Sequence, residues 1–178
     1  MFDLHRVSRH IPEPESISIM EEIRLGRRFV DRLARAFPEM CVTPGNHDAR
    51  GFKQAKEKGI PEMMLRPIWE VFNCPNWSWE PRIVRNGVYY FHGDGYSGPN
   101  GTMKAAMTNR MSTVMGHLHP HGGVQYQNNG NSVIFALNAG CLIDTKSLAF
   151  RYGSTSQNKP TLGCGVVLNR KEAHFIPL

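Results

Sequence analysis

Three short segments of the sequence hold the side chains best suited to chemistry. They are Gly45-Asn46-His47-Asp48, Phe91-His92-Gly93-Asp94 and Gly116-His117-Leu118-His119. Imidazole nitrogens and amide oxygens bind divalent ions such as Zn²⁺, Mn²⁺ and Fe²⁺. The glycine in each segment lets the backbone turn sharply beside the ligand. Together the segments predict a hydrolytic metal centre.

The first segment offers both a metal ligand and a catalytic pair. Asn46 would bind a metal ion through its side-chain carbonyl. His47 has the right chemistry to protonate a leaving oxygen, and Asp48 is expected to orient the His47 ring. The predicted catalytic residues are therefore His47 and Asp48, next to the ligand Asn46.

Each segment is expected to lie at the end of a strand. The predicted strands are Met40–Thr43, Val88–Phe91 and Thr113–Met115. In α/β sheets the carboxyl ends of the strands form the edge where ligands bind. His117 and His119 are two residues apart, so both reach one site only if the backbone turns, as Gly116 and Pro120 allow.

Further elements follow from local signals. A helix is predicted from Ser18, which forms a capping box with Glu21, to Pro38, and Asn86-Gly87 predicts a hairpin turn. Residues 49–82 are expected to be rich in loops, with one helix near residues 62–72. A later helix, residues 102–112, carries methionines that we expect in the core. The last predicted strands are Val133–Leu137, Gly165–Leu168 and His174–Ile176.

Length and composition restrict the class of protein. The 178 residues suit a single domain over residues 1–178, and no apolar run approaches the roughly 20 residues of a membrane helix. The N-terminus does not resemble a secretory signal, so a cytoplasmic location is expected. Four separated cysteines give no zinc pattern or disulfide framework, and we expect reduced, mostly buried thiols.

The net charge of +6 is compatible with an anionic partner such as nucleic acid. The densest positive cluster lies on the first predicted helix, where a solvated helix face is the stronger explanation. The cluster comprises Arg24, Arg27, Arg28, Arg32 and Arg35. Charge alone therefore identifies no partner.

At this point the sequence resembles the calcineurin-like metallophosphoesterases. The pattern of that family is D-x-H, G-D-x-x-D, G-N-H-[DE], a lone His, and G-H-x-H. The last three blocks match here in order, at Gly45 to Asp48, at His92, and at Gly116 to His119. The resemblance covers the chain to about residue 143 and extends more weakly to phage-encoded members. Such a phage-encoded protein would act in the host cytoplasm.

The resemblance implies a fold and a set of roles. The fold would be an α/β fold, a β-sandwich flanked by helices. Asn46, His92 and His117 would bind the second of two metal ions, and His119 would bind the first. His47 would be the general acid, with Asp48 as its partner. The reaction would be phosphomonoester or phosphodiester hydrolysis with Mn²⁺, Zn²⁺ or Fe²⁺, on a substrate such as a nucleotide or nucleic acid.

The first two blocks of the family pattern have no match after Met1. Residues 3–10 resemble the segment that follows G-D-x-x-D in phage-like members, so Asp3 would be the last residue of that block. Asp3 would lie beside the metal site without binding the ion. The chain would then be truncated at its N-terminus, and its first central strand and three metal ligands would lie upstream.

Three interpretations of the chain remain open. The chain is a phosphoesterase fragment that needs a complementing N-terminal segment, or a phosphoesterase-fold binding or accessory protein that has lost two-metal chemistry. In both, the remaining neutral ligands would hold one metal ion weakly or none. The third reading is an unrelated basic nucleic-acid-binding protein. The sequence gives no information on oligomeric state.

Overall fold

The computed structural model describes residues 3–8, 16–144 and 157–178. It confirms a mixed α/β class, with helices and a central mixed sheet. The chain divides into two compact units, Met1–Glu80 and Pro81–Leu178, which we call unit 1 and unit 2. The expected single domain and the expected β-sandwich stay predictions.

Unit 1 begins with a short 3₁₀ turn, His5–Val7, and a long helix, α1, Ile19–Ala36. The Ser18 side chain accepts a hydrogen bond from the backbone N–H of Glu21, so the predicted N-cap is confirmed. The buried face of α1 includes Gly26 and Val30. Its other face carries the predicted arginine cluster, and all five of its residues are exposed.

The rest of unit 1 contains two strands and two short helices. They are β1 (Met40–Val42), α2 (Arg50–Glu57), α3 (Ile68–Phe72) and β2 (Trp77–Trp79), with a 3₁₀ turn at Glu62–Met64. β1 and β2 form a parallel pair. The single helix expected near residues 62–72 is therefore two short pieces, because Pro67 cannot lie inside a helix and instead caps α3.

The core of unit 1 forms between α1, α3 and β2. Val30 and Phe72 are fully buried, and Ile68, Cys74 and Trp77 join them. The Phe72 ring stacks on the Trp79 ring, with centroids 5.8 Å apart. The Trp77 indole N–H donates to the Phe37 carbonyl, which ties β2 to the end of α1. Val42, the last residue of β1, packs against this core, and the loop with Asn46 and His47 follows it.

Unit 2 is built on a five-stranded mixed sheet with the order β3-β4-β5-β7-β6. β4, β5 and β7 are parallel, and β3 and β6 run antiparallel at the two edges. The strands are β3 (Arg82–Arg85), β4 (Val88–Phe91), β5 (Ser112–Met115), β6 (Gly123–Asn128) and β7 (Val133–Asn138). The predicted turn at Asn86-Gly87 is confirmed, since both residues have positive φ between β3 and β4.

Helix α4, Gly101–Asn109, lies against β5 and β7. Its buried residues are small ones that include Thr102, Ala105 and Ala106. The expectation that the methionines of this helix face the core is wrong for Met107, which is 53% exposed. Small side chains let the helix approach the sheet closely. The face of α4 that packs inward is therefore the one with Thr102, Ala105 and Ala106.

A C-terminal hairpin covers part of the sheet through a second hydrophobic cluster. The hairpin consists of β8 (Gly163–Leu168) and β9 (Glu172–Pro177). Ala173 of the hairpin is buried with Val88, Phe135 and Leu137 of the sheet. Phe175 packs against the same cluster.

The Phe175 ring lies directly against glycine backbone. A methyl group added at Gly122, Gly140 or Gly163 would come within 2.5, 2.8 or 2.4 Å of the ring. Real Cβ contacts are essentially never this short, so the ring fills space that only glycine leaves open. The three glycines come from different parts of the chain, and the ring joins them into one packed group.

The sequence did not predict three of the observed elements. Residues 77–79 were expected to be a loop but form β2, and residues 50–57 were expected to be a loop but form α2. No strand was predicted over residues 123–128, the location of β6. The β6 segment is polar, and its strand conformation depends on antiparallel pairing with β7.

All four cysteines are free, as predicted. The expectation that they are mostly buried is wrong for Cys41 and Cys164, which are exposed. Burial raises the pKa of the Cys74 thiol, and the nearby charge of Asp31 raises it further. Burial also raises the pKa of Cys141. Cys74 and Cys141 are therefore poor nucleophiles at neutral pH.

Candidate metal centre

The carboxyl ends of three parallel strands place the candidate ligands of unit 2. Phe91, Met115 and Asn138 lie in register at the ends of β4, β5 and β7. His92 follows the first of these strands directly, and the backbone N–H of Gly116 donates to its carbonyl at 3.1 Å. The predicted position of His92 and His117 beyond the strand ends is therefore confirmed.

Beyond this edge, His92, Asp94 and His117 form a group that could hold a metal ion. One ligand atom from each lies within 4.8 Å of the others. Nε2 of His92 is 3.2 Å from Nδ1 of His117, and Oδ1 of Asp94 is 3.8 Å from the same Nδ1. The histidines are half-buried and Asp94 is exposed, so the group opens to solvent.

The spacing of the two ring nitrogens fits shared coordination of one ion. Zinc–nitrogen bonds of about 2.0–2.1 Å at tetrahedral angles put two ligand nitrogens about 3.3 Å apart. The observed 3.2 Å is close to this value. In the metal-free chain the same distance accommodates one N–H···N hydrogen bond between the rings. Asp94 adds the anionic oxygen that the two neutral imidazoles lack.

Unusual backbone geometry holds the two histidines in place. His117 has a φ of +65°, a left-handed conformation that costs about 1–3 kcal/mol in a residue with a side chain. Gly93, between His92 and Asp94, has a φ of +119°. A Cβ at Gly93 would lie 2.6 Å from Cε of Met115 and 2.9 Å from Cβ of His117. Glycine at this position therefore allows the second histidine to approach.

His119 is not a member of this three-residue group. The turn after Gly116 is tight: the N–H of Leu118 donates to the Gly116 carbonyl, and that of His119 donates to the His117 carbonyl at 3.0 Å. The His119 carbonyl in turn accepts from the Thr161 N–H at 2.7 Å. The predicted sharp turn is present, whereas the role of His119 as a ligand of another ion stays a prediction.

Unit 1 holds a separate polar cluster centred on Asp3, His47 and Arg50. The Asp3 carboxylate is buried and contacts Nδ1 of His47. Arg50 Nη1 donates to the same carboxylate at 2.8 Å and to the Asp3 carbonyl at 2.7 Å. Arg50 Nη2 lies 3.1 Å from Nε2 of His47. Asp3 thus closes a ring of polar contacts with His47 and Arg50, which lie three residues apart in a distant part of the chain.

These contacts assign the tautomer of His47. A guanidinium only donates hydrogen bonds, so Nε2 of His47 accepts from Arg50. An ionised carboxylate only accepts, so Nδ1 of His47 carries the proton and donates to Asp3. His47 is thus held at both ring nitrogens.

The surroundings of Asp3 favour its charged form. Burial alone would raise the pKa of this carboxyl, but the hydrogen bond from His47 and the electrostatic attraction of His47, Arg50 and His5 outweigh burial. The net effect is a pKa below the usual value for aspartate. Glu22 of α1 fixes the backbone, since its Oε1 accepts from the N–H groups of Asp3 and Leu4 at 2.5 and 2.6 Å.

Asp48 and Asn46 lie in the turn that leads into α2. Oδ2 of Asp48 accepts a hydrogen bond from the Gly45 N–H at 2.9 Å, which stabilises the turn. The carboxylate of Asp3 contacts the His47 ring, which is the contact that the sequence predicted for Asp48. The predicted pairing of Asp48 with His47 and the predicted role of Asn46 as a ligand stay predictions.

Asp94 and Arg50 were not among the residues predicted for the site. Asp94 belongs to the Phe91-His92-Gly93-Asp94 segment, and a carboxylate two residues after a candidate ligand was an available signal. Arg50 follows Asp48 by two residues, but it lies on a helix that was expected to be a loop. Its contact with Asp3 spans 47 residues, and no local pattern predicts it.

Comparison with known proteins gave no match to a family model, to a curated protein or to a solved structure. The phosphoesterase resemblance therefore rests on the three motifs. Among the described residues, no helix combines the length and apolar character needed to cross a bilayer.

Proposed function

We propose that this chain is a metal-dependent phosphoester hydrolase. The observation that carries the proposal is the group formed by His92, Asp94 and His117 at the carboxyl edge of the unit 2 sheet. The order of the three motifs in the sequence supports the same class of reaction. In this proposal His92, Asp94 and His117 bind one divalent ion, with Mn²⁺, Zn²⁺ and Fe²⁺ as the candidates.

The charge of the donor set suits an anionic substrate. Two neutral imidazoles and one carboxylate would leave a divalent ion with a net positive charge, which attracts a phosphoester. The ion would polarise a phosphoryl oxygen and make hydroxide available near neutral pH. The solvent-exposed side of the group, where Asp94 lies, leaves room for the substrate.

In this proposal His47 remains the proton donor to the leaving oxygen, as the sequence predicts. Asp3 would orient the ring through Nδ1, so the acidic proton would leave from Nε2. Since Arg50 donates to Nε2 in the structure, it must release that nitrogen, and Nε2 must take up a proton from solvent, before His47 can donate one to the leaving oxygen. Arg50 therefore positions the ring only until the reaction begins.

The test is hydrolysis of bis(p-nitrophenyl) phosphate and p-nitrophenyl phosphate by the full chain with Mn²⁺ or Zn²⁺ added. We expect metal-dependent release of nitrophenol that falls by at least about 100-fold in His92→Ala and in His117→Ala, an effect of about 2.7 kcal/mol on the barrier. His174→Ala, which changes an exposed histidine of β9, is the matched control. Turnover that survives both ligand variants would overturn the site.

A second candidate function is nucleic-acid binding without turnover. It is favoured by the exposed arginine face of α1, which comprises Arg24, Arg27, Arg28, Arg32 and Arg35. Basic side chains on phosphates give affinity that falls steeply with salt. Fluorescence anisotropy of labelled single-stranded DNA between 50 and 200 mM salt tests this candidate. Binding that Arg28→Ala and Arg32→Ala leave unchanged would exclude the α1 face as the binding surface.

A further inference from the structure

A cleft of about 330 Å³ lies in unit 2 next to the turn that carries His117 and His119. We call it the Thr102–Asn138 cleft. Its lining comes from α4, β6, β7 and nearby loops and includes Thr102, Pro120, His121, Val124, Gln125 and Asn138. Its volume is at the lower end of the range for small-molecule sites, roughly 300–1,000 Å³. It therefore suits one small ligand.

Two buried side chains in the cleft have hydrogen-bonding capacity that the protein does not fill. Thr102 and Asn138 are each 5% exposed. Within the described residues the Thr102 hydroxyl makes no hydrogen bond. Oδ1 of Asn138 accepts from the Gly140 N–H at 3.0 Å, but its Nδ2 reaches the Leu118 carbonyl only at 3.5 Å. Among the described residues, neither group belongs to the fully buried side-chain atoms that lack a partner, so both are reached from the cleft and can pair with a ligand there.

The remaining lining specifies the chemistry of that ligand. The described lining includes no carboxylate, lysine or arginine, so the ligand group is uncharged. Pro99, Pro120 and Val124 offer apolar surface to a flat ring, and the half-buried His121 offers an aromatic face. Amide side chains such as Asn138 and Gln125 are those that pair with the edges of nucleobases.

We propose that the Thr102–Asn138 cleft binds the nucleoside portion of the substrate. The base would lie against Pro120 and His121, and its edge would accept hydrogen bonds from Thr102 and Asn138. Pro120 and His121 lie three and four residues after His117 of the metal group, so the cleft and the group belong to the same unit and share one turn of the chain. The assignment as a substrate subsite rests on the proposed function, but nucleoside binding does not require the metal.

The experiment is an NMR titration of the full metal-free chain with adenosine, guanosine, cytidine and uridine, with ribose as the comparison. We expect saturable shifts confined to residues of the cleft, with a Kd of roughly 1 mM or tighter for at least one nucleoside. Ribose should bind at least about tenfold more weakly. Absence of binding by all four nucleosides, or equal binding of ribose, would overturn the proposal.

Thr102→Val removes the buried hydroxyl while keeping the side-chain shape, and we expect it to weaken nucleoside binding about tenfold. Thr108→Val is the matched control, because Thr108 is exposed on the same helix and its hydroxyl donates to the Lys104 carbonyl. Equal affinity of the two variants would overturn the assignment of Thr102. If Thr102→Val fails to fold, the location of the wild-type shifts decides the question.

The result separates this inference from the proposed function. Bis(p-nitrophenyl) phosphate contains no nucleoside, so its hydrolysis tests the metal group independently of the cleft. Nucleoside binding without metal-dependent turnover would support the cleft and contradict the hydrolase. Turnover of the chromogenic ester without nucleoside binding would support the hydrolase and contradict the cleft.

Discussion

Nε2 of His92 and Nδ1 of His117 face each other at 3.2 Å beyond the ends of two neighbouring parallel strands. The two residues are 25 positions apart in the chain, and the strand register brings them together. Because strand register and backbone geometry set the positions of the two residues, the arrangement that could hold an ion is formed by the protein alone. Preorganisation of this kind reduces the conformational entropy that binding would otherwise cost.

Removal of either histidine should weaken metal binding. We expect His92→Ala and His117→Ala each to raise the Kd for Zn²⁺ at least about tenfold by isothermal titration calorimetry, since each removes one of three ligands. Asp94→Asn should have a smaller effect, because the amide oxygen still coordinates. His174→Ala is the control. If both histidine variants bind Zn²⁺ as tightly as the wild type, these histidines are not ligands of the ion.

A methyl group at Gly93 should disturb the metal group indirectly. Gly93→Ala would place a Cβ 2.9 Å from Cβ of His117 and 2.6 Å from Cε of Met115. Gly95→Ala is a close control, since Gly95 also has positive φ but has nothing within 4 Å of the added carbon. We expect both variants to lose about 1–2 kcal/mol of stability from backbone strain, and only Gly93→Ala to lose Zn²⁺ affinity. Equal affinity in the two would show that the close approach has no role.

Asp3→Asn should destabilise the chain in a pH-dependent way. The folded state lowers the pKa of Asp3 below that of the unfolded chain, so the carboxylate stabilises the fold fully above about pH 4. This stabilisation is lost as the pH falls through the folded pKa. By urea unfolding we expect a difference of about 2 kcal/mol at pH 7 that shrinks toward pH 2.

The control for this prediction is Asp31→Asn, which changes an exposed aspartate on α1. It should change the free energy of unfolding by less than about 0.5 kcal/mol at either pH. A difference between wild type and Asp3→Asn that is independent of pH would contradict the charged state assigned to Asp3.

The core of unit 1 should depend strongly on one aromatic residue of α3. Phe72 is fully buried and stacks on Trp79, so Phe72→Ala should lower the free energy of unfolding by about 3–5 kcal/mol. Trp69 of the same helix is 50% exposed, and Trp69→Ala should cost much less. Chemical denaturation followed by circular dichroism measures both. Similar losses in the two variants would contradict the packing of α3.

The elements that the sequence predicted well are those with local causes. The Ser18 N-cap acts on a residue three positions away, and the Asn86-Gly87 turn joins strands that are adjacent in sequence. The strand ends at His92 and His117 follow from apolar runs that stop at glycine. In each case the deciding interaction lies within a few residues.

The elements that were missed depend on distant partners. The β2 strand is held by parallel pairing with β1, 37 residues earlier, and its Trp-Ser-Trp sequence carries no alternation long enough to identify it. The network around Asp3 joins residues 47 positions apart. Asp94 lies near His117 only because the neighbouring parallel strand brings His117 there.

The contact of Phe175 with three glycines has a consequence for how this sequence can vary. A saturation mutational scan should find Gly122 and Gly163 intolerant even to alanine, although neither needs a positive φ. At Gly122 the intolerance should be relieved when Phe175 is replaced by a smaller residue such as leucine, whereas at Gly163 the Ile176 carbonyl oxygen, 2.6 Å from the added carbon, still excludes alanine. Inherited changes at Gly122 and Phe175 would therefore be expected to occur together, as a compensating pair.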